Sequence, residues 1–514
     1  MSVLSRNTRL YREKMLADPY RPGYHFVVPD GDGRPGDPNG AFFADGRYHL
    51  MYLHGNQVNQ MYQWGHISSI DLLHWRHHPD ALTRDGAILG GYNGFFSGGA
   101  FVDDDETVYL TFWGFPSEKH AGGIGIAFSK PPYEVWELIN PISIAGNHPW
   151  GTKEIDCNGK IEHISCADPS NIWKKDGWYY LQAGNKCVLD EWGRAEDSEE
   201  RYRGDWTDLY RSKDLRNWEF VHRFYQNPHL GEDWPDETED DMCPSLLPLP
   251  DRATDGNLTD RMLQLFISHN KGGQYYIGKV QNETFYPEQH GRFSWIDNTY
   301  FAPEALIDHR NRHIGWFWLL DNPTDDGGME LFDWSGVYGF PRVFWLENDI
   351  LHMAPAEELE RLQYNGQILD VGTVDGKTLL PVKNGVSFRI RAEMTPKSAQ
   401  KIGFIVRADE QRDEYTDIYV DRRENVLVMD TSHSGIYGRR VVERAPFVLN
   451  ENENLHMDIF VDKSVIEVYV NDVQAICRRV YPTDVTCATA VYAVSDGADY
   501  GVVRAWEMME TNMY

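Results

Sequence analysis

Short apolar runs, each about five to seven residues long, recur along this chain and are cut by Gly, Asp, Asn and Pro. Arg47–Leu53, Thr107–Trp113, Gly177–Ala183, Met262–Ser268 and Val465–Asn471 are examples. Runs of that length, bounded by turn residues, read as strands. Long amphipathic helical patterns are scarce, with Glu357–Leu362 the best short candidate, so an all-β chain is expected. One pattern also repeats. Trp64-Gly65-His66-Ile67-Ser68-Ser69-Ile70-Asp71-Leu72-Leu73-His74-Trp75 parallels Asp208-Leu209-Tyr210-Arg211-Ser212-Lys213-Asp214-Leu215-Arg216-Asn217-Trp218. Each reads as a strand, a Ser-x-Asp-Leu turn and a Trp that opens the next strand. Gly125–Lys130 is a weaker third copy. Units spaced by roughly 60–80 residues suggest propeller blades around a central axis.

The tail patterns differently. Ser387–Ala392, Lys401–Ala408, His456–Val461 and Val465–Val470 alternate as the strands of a β-sandwich do, and the acids Asp462 and Glu467 are expected to face solvent there. The expected organisation is a propeller over 1–355, a short linker over 356–366 and a sandwich over 367–514. A chain of 514 residues exceeds one ordinary core, which agrees with such a division. The aromatic fraction of 13% suits sheet faces, where flat rings pack well.

The formal charge of −30 argues against nucleic acid or an anionic membrane as partner. Six cysteines, at 157, 166, 187, 243, 477 and 487, form no CxxC pair, so neither a cysteine zinc site nor a thioredoxin motif is expected. No run of 18 apolar residues occurs, so no helical membrane span is expected. Arg6, Arg9, Arg12, Glu13 and Lys14 do not suit a secretory leader, and a cytoplasmic location is the default expectation.

Three acidic segments stand beside turns that precede apolar strands. The first is Asp37-Pro38-Asn39-Gly40 and the second is Ala167-Asp168-Pro169-Ser170. The third runs from Asp236 through Glu237, Glu239, Asp240 and Asp241 to Met242-Cys243-Pro244. Glycoside cleavage with retention uses two carboxyl groups, one as nucleophile and one as proton donor. A carboxylate cluster beside apolar residues raises the pKa of one member, as a general acid needs.

In these segments and beyond, the chain resembles glycoside hydrolase family 32, the invertase, inulinase and fructan hydrolase group. Asp37-Pro38-Asn39-Gly40 is similar to the end of its W-M-N-D-P-N-G motif. Tyr48–Tyr52, Trp64–Ser69 and Phe96-Ser97-Gly98-Gly99 resemble its Y-H-L-F-Y, W-G-H-A-T-S and F-S-G-S stretches. Asp168-Pro169 takes the place of R-D-P, and Cys243-Pro244 that of E-C-P. Tyr300–Pro303 and Arg312–Trp316 resemble its late propeller strands, and Ile459–Asp472 its sandwich signature. The resemblance spans nearly the whole chain.

It implies a five-bladed β-propeller followed by a C-terminal β-sandwich, with no cofactor and no metal. Asp37 would be the nucleophile and Asp168 the stabiliser of the transition state. Asn39, Trp64, Phe96 and Ser97 would line the fructosyl pocket. The implied activity is release of terminal β-fructofuranosyl units from sucrose, fructo-oligosaccharides or fructan, with the oligomeric state left open. The departures are specific. Arg34, Pro35 and Gly36 replace the family's Trp, Met and Asn; Leu53 replaces a Gln; Ala167 replaces an Arg. Met242 stands where the proton-donating Glu is usual and cannot titrate. Glu239 is then the first choice for the acid/base, Asp241 the next and Glu304 the third. Two other readings remain open: a fructosyltransferase or hydrolase of another furanoside on the same fold, and a carbohydrate-binding protein without catalysis.

Overall fold

A computed structural model describes residues 13, 15, 17–27, 36–55, 62–118, 121–139, 142–148, 151–189, 199, 202, 205–227, 240–269, 271–320, 334 and 336–512. Among these residues, five antiparallel meanders follow one another along the chain. Blade 1 consists of Pro38–Ala44, Arg47–Gly55, Tyr62–Ser69 and Arg76–Leu82. Blade 2 begins with Ala100–Val102, Val108–Gly114 and Gly123–Ser129; blade 3 contains Trp173–Lys175, Trp178–Ala183, Asp205–Ser212 and Trp218–Asn227. Blade 4 is Met242–Pro250, Leu258–Ser268, Gly272–Gln281 and Thr284–Arg292. Blade 5 is built on Tyr300–Ile307, His313–Leu319, Arg342–Glu347 and Ile350–Pro355. The first strand of blade 1 is almost wholly buried, whereas most of its last is exposed or half-buried. That gradient, with contacts of Pro38–Ala44 to the first strands of blades 2 and 5, places the first strands around the axis.

The turn chemistry explains the repeat seen in the sequence. Asp71 Oδ1 accepts the amides of Leu73 and His74, and Asp214 Oδ1 accepts those of Arg216 and Asn217. In both turns the Leu that follows Asp takes a positive φ, 62° at Leu72 and 61° at Leu215. The carboxylate thus satisfies the turn amides in the same way in blades 1 and 3.

A second repeated device lies at the axis. The ladder slips between Asn39 and Phe42, between Met242 and Ser245, and between Phe301 and Glu304. Gly40, Cys243 and Ala302 sit inside these slips at φ of 47°, 51° and 44°. Asp168, at φ 36°, immediately precedes the bridge of Pro169 to Ala183 in blade 3. A bulge at the head of an inner strand bends it and re-aims its side chains.

Residues 363–508 form two six-stranded antiparallel sheets. One contains Ser387–Met394, Leu455–Asp462 and Val465–Val470; the other contains Lys401–Asp409, Glu414–Asp421 and Ala490–Asp499. Phe388, Ile390, Phe404, Ile418, Ile459 and Val491 belong to the core between them. Glu357–Leu362, the helix candidate, is a 3-10 turn at the junction. Asp462 and Glu467, expected from the sequence to face solvent, are instead fully buried against the propeller. Asp462 accepts the amides of Gly23, Tyr24 and His25, and Glu467 pairs with Arg342 at 2.9 Å.

Candidate active site

Gly36 and Asp37 enter the axis as a short extension of blade 1. Gly36 donates its amide to the Leu53 carbonyl, and Leu53 returns its amide to the Asp37 carbonyl, both at 2.9 Å. Tyr338 of blade 5 donates its hydroxyl to the Gly36 carbonyl at 2.7 Å. The backbone of Asp37 is therefore held from two blades. Blade 2 meets it through Phe96-Ser97-Gly98-Gly99. A Cβ on Gly98 would lie 2.1 Å from the Thr111 carbonyl oxygen, and one on Gly99 would lie 2.4 Å from the Asn171 amide nitrogen. Only glycine allows that approach, and it delivers Ser97 to the axis.

The axis opens into a cavity of about 240 Å³ lined by Asp37, Asp168, Ser97, Phe96 and Cys243 together with residues from blades 2 to 5. Ser97 Oγ donates to Asp37 Oδ2 at 2.7 Å. The Cys243 thiol lies between the two carboxylates, 3.9 Å from Asp37 Oδ2 and 3.6 Å from Asp168 Oδ2. The Cys243 amide also donates to Asp168 Oδ2 at 3.3 Å. Burial raises the Asp37 carboxyl above its usual range against the pull of Ser97 and of the His269 charge. Burial, and then the neighbouring Asp37 charge, push Asp168 up to about 7. Two carboxyl groups in one dry cavity resist sharing two full negative charges. The Cys243 thiol is likewise driven up by burial and by both aspartates, so it remains a neutral donor.

Two basic side chains that the sequence reading missed share this wall. His269 follows the second strand of blade 4, and its Nδ1 lies 3.0 Å from Asp240 Oδ2. Burial draws the His269 pKa down, but Asp240, Asp168 and Asp37 outweigh it and the net shift is upward. Lys186 starts the short helix Lys186–Leu189 after blade 3's second strand and is only 5% exposed. Its Nζ lies 5.9 Å from the Trp113 ring centroid. Trp113 in turn stacks on Phe96 at 4.7 Å, which gives the cavity an aromatic floor.

Of the expected pocket residues, the structure brings Asp37, Asp168, Phe96 and Ser97 together on the cavity. It sets Asn39 and Trp64 behind the wall. Asn39 is buried, bonded by its Nδ2 to the Asp37 carbonyl and by its Oδ1 to the Gly98 amide. Trp64 is fully buried and donates Nε1–H to the Phe96 carbonyl. Both bond to the backbone that carries the wall residues. Glu304 is also behind the wall, its Oε1 accepting the Ala41 amide at 3.0 Å, and burial raises its pKa well above the usual range. Asp241 is fully buried with its charge set against the Tyr225 phenol. Asp236, Glu237 and Glu239 lie outside the described residues.

A larger cleft, about 460 Å³, opens on the sandwich. There Asp417, Asp409 and Glu410 pair with Lys401, Arg412 and Lys377.

A propeller whose axis carries two buried carboxylates over a sugar-sized cavity, joined to a β-sandwich, defines a class of glycoside hydrolase. The Glycosyl hydrolases family 32 N-terminal domain matches residues 32–355, and the Glycosyl hydrolases family 32 C-terminal domain matches residues 357–507. The chain belongs to glycosyl hydrolases family 32 and is a β-fructofuranosidase-like glycoside hydrolase. It is similar to the sucrose-6-phosphate hydrolase of Zymomonas mobilis subsp. mobilis, 25% identical over 533 residues, covering 98% of this chain and 94% of that protein. It is also similar to the levanase of Bacillus subtilis, 27% identical over 523 residues, covering 93% of this chain and 69% of that protein. The crystal structure of a variant of fructan 1-exohydrolase IIa from Cichorium intybus, in complex with 1-kestose, shares the fold with a TM-score of 0.77. That match is 20% identical and covers 96% of this chain and 98% of the other.

Proposed function

We infer that the protein releases terminal β-D-fructofuranosyl units from sucrose or short fructo-oligosaccharides by double displacement. The observation that carries this reading is the convergence of Asp37 and Asp168 on one cavity, bridged by the Cys243 thiol and steadied by Ser97. Asp37, held at its backbone by Leu53 and Tyr338, attacks the anomeric carbon. Asp168 binds fructosyl hydroxyls and stabilises the positive charge that develops on the ring. Phe96 and Trp113 offer the apolar face against which the sugar lies. The relatives named for sucrose 6-phosphate, levan and fructan hydrolysis support a β-fructosyl substrate. A cytoplasmic location belongs to the same proposal and is checked by cell fractionation.

Proton NMR of the earliest product from sucrose or kestose tests the mechanism. Retention gives β-fructose before mutarotation; an α product would overturn the pairing of roles, and binding without turnover would favour the carbohydrate-binding reading.

The proton donor is assigned to Glu239, four residues before Cys243. The wall supplies a second reading, because His269 lies on the cavity and Asp240 keeps its pKa above the usual value. Sucrose and an aryl fructoside separate the two. Glu239→Gln should slow sucrose far more than the aryl substrate, whose leaving group needs little protonation. If His269→Gln shows that selectivity and Glu239→Gln slows both substrates alike, His269 is the donor.

A further inference from the structure

We propose that His148, Glu154 and His163 form a divalent cation site of zinc type on the face of the hairpin Thr152–Cys157 and Lys160–Ser165. Glu154 and His163 stand directly opposite each other in the hairpin register. His148 reaches them from the preceding segment, which bridges back to Thr152. The neighbouring Asn147 Oδ1 accepts the Glu154 amide at 2.9 Å, which fixes that return. Both imidazole Nε2 atoms converge on the same carboxylate oxygen, Glu154 Oε1, at 3.2 and 3.9 Å. The three candidate ligand atoms all lie within 4.8 Å of one another.

The ring directions suit one ion. The two imidazoles are 5.8 Å apart and inclined at 64°, so lone pairs lying in their planes can meet. Ligand atoms at about 2.0–2.1 Å from a tetrahedral zinc are themselves about 3.3 Å apart. The observed spacings need only small side-chain rotations to reach that. Two nitrogens and one carboxylate oxygen match zinc-type cations rather than calcium or magnesium, which prefer oxygen throughout. The three side chains remain 34%, 43% and 19% exposed, which leaves room for a water as fourth ligand.

The cluster His49, His66 and His78 is the other histidine group among the described residues. It does not carry the same argument. The His66 and His78 rings are stacked 4.3 Å apart at 20°, so their lone pairs run side by side and cannot meet on one ion.

An ion at the hairpin has a clear consequence. This hairpin is a two-stranded sheet of its own, and such units have little stability alone. Yet it supports the active-site wall: Ser165 Oγ accepts the Lys186 amide at 3.3 Å, and the Ser165 amide donates to Asp208 Oδ2 at 2.6 Å. A cation that joins both strands to the segment before them stiffens the support of Lys186. It takes no part in the chemical step.

Calorimetric titration of the chelator-treated full-length chain with zinc chloride at neutral pH tests the site. One saturable event is expected, weakened at least about tenfold in Glu154→Gln and in His148→Ala and unchanged in His78→Asn. The melting temperature of the unsubstituted chain should rise with free zinc, and that of Glu154→Gln should not. Both ligand substitutions are on partly exposed side chains, and unchanged circular dichroism confirms that they fold. Absence of a saturable event, or an event of undiminished affinity in either ligand variant, overturns the proposal. So does loss of binding in His78→Asn.

Discussion

Two buried acidic side chains at the propeller axis and two at the propeller–sandwich interface are treated in opposite ways. At the axis, Asp37 and Asp168 face each other with neutral donors, Ser97 and Cys243, as their nearest partners. Burial dominates, and both carboxyls rise. At the interface, burial acts in the same direction on Glu467 and Asp462. There Glu467 also meets His25, Arg342 and the Tyr469 hydroxyl, and falls to about 2. Asp462 gains the His25 side chain and three backbone amides, and is lowered too. Desolvation is common to both sites; the supply of positive charge and donors differs. The contrast sets the two carboxylates on the cavity apart from the two that tie the sandwich to the propeller.

The strongest way to break this contrast is to remove the charge at Asp37. Asp37→Asn should lower turnover on the order of 10³-fold or more, since the covalent step loses its nucleophile. Its melting temperature should hold or rise, because a costly buried acid has been neutralised. Turnover within tenfold of the unsubstituted protein would show that Asp37 is not the nucleophile.

The matching change at the interface should give the reverse pattern. Glu467→Gln leaves the Arg342 guanidinium buried without its anion, which costs about 3–5 kcal/mol of stability. Turnover per folded molecule should remain within a few-fold. The pH dependence follows the depressed pKa of Glu467. Its contribution is fully present above the unfolded carboxyl range and is lost as pH falls toward about 2. Acid unfolding of the unsubstituted protein should therefore steepen below about pH 4.3, the reference value for Glu, and Glu467→Gln should flatten that part of the curve.

A finer test keeps both sites folded and changes only the coupling at the axis. Asp168→Asn removes the negative neighbour of Asp37. Turnover should fall about 10²-fold, in the range seen when one preorganised stabilising group is lost. The acid limb of kcat/KM should also move to lower pH, because the ionisation of Asp168, pushed up to about 7 by burial and by the Asp37 charge, no longer contributes to it. An unmoved limb would mean that Asp168 does not set it.

The sequence made some of this legible and hid the rest for identifiable reasons. Ser-x-Asp-Leu turns and Asp-Pro strand heads are local, set by residues a few positions apart, and they appear where expected as blade corners and axis bulges. His269 and Lys186 follow second strands and reach the cavity only once the blades close around the axis; nothing adjacent in sequence marks them. Asn39 and Trp64 lie within recognisable motifs, but the motifs do not say which side of the wall a side chain occupies. Glu467 misled for a different reason. Val465–Val470 alternates as if one face met water, but a second body covers that face and all six residues are buried. A period of two gives the faces of a strand and not what lies beyond them.

The bulge shared by the inner strands carries an evolutionary consequence. Cys243 and Ala302 occupy corresponding sockets in blades 4 and 5, and Asp168 stands at the head of blade 3 in a similar backbone conformation. The main-chain bend of each socket belongs to its own blade, while the side chain it carries reaches across the axis, as the Cys243 thiol does toward Asp37 and Asp168. The fold behaves as a turret with interchangeable fittings, and new specificities can arise one blade at a time while the barrel of the turret stays in place.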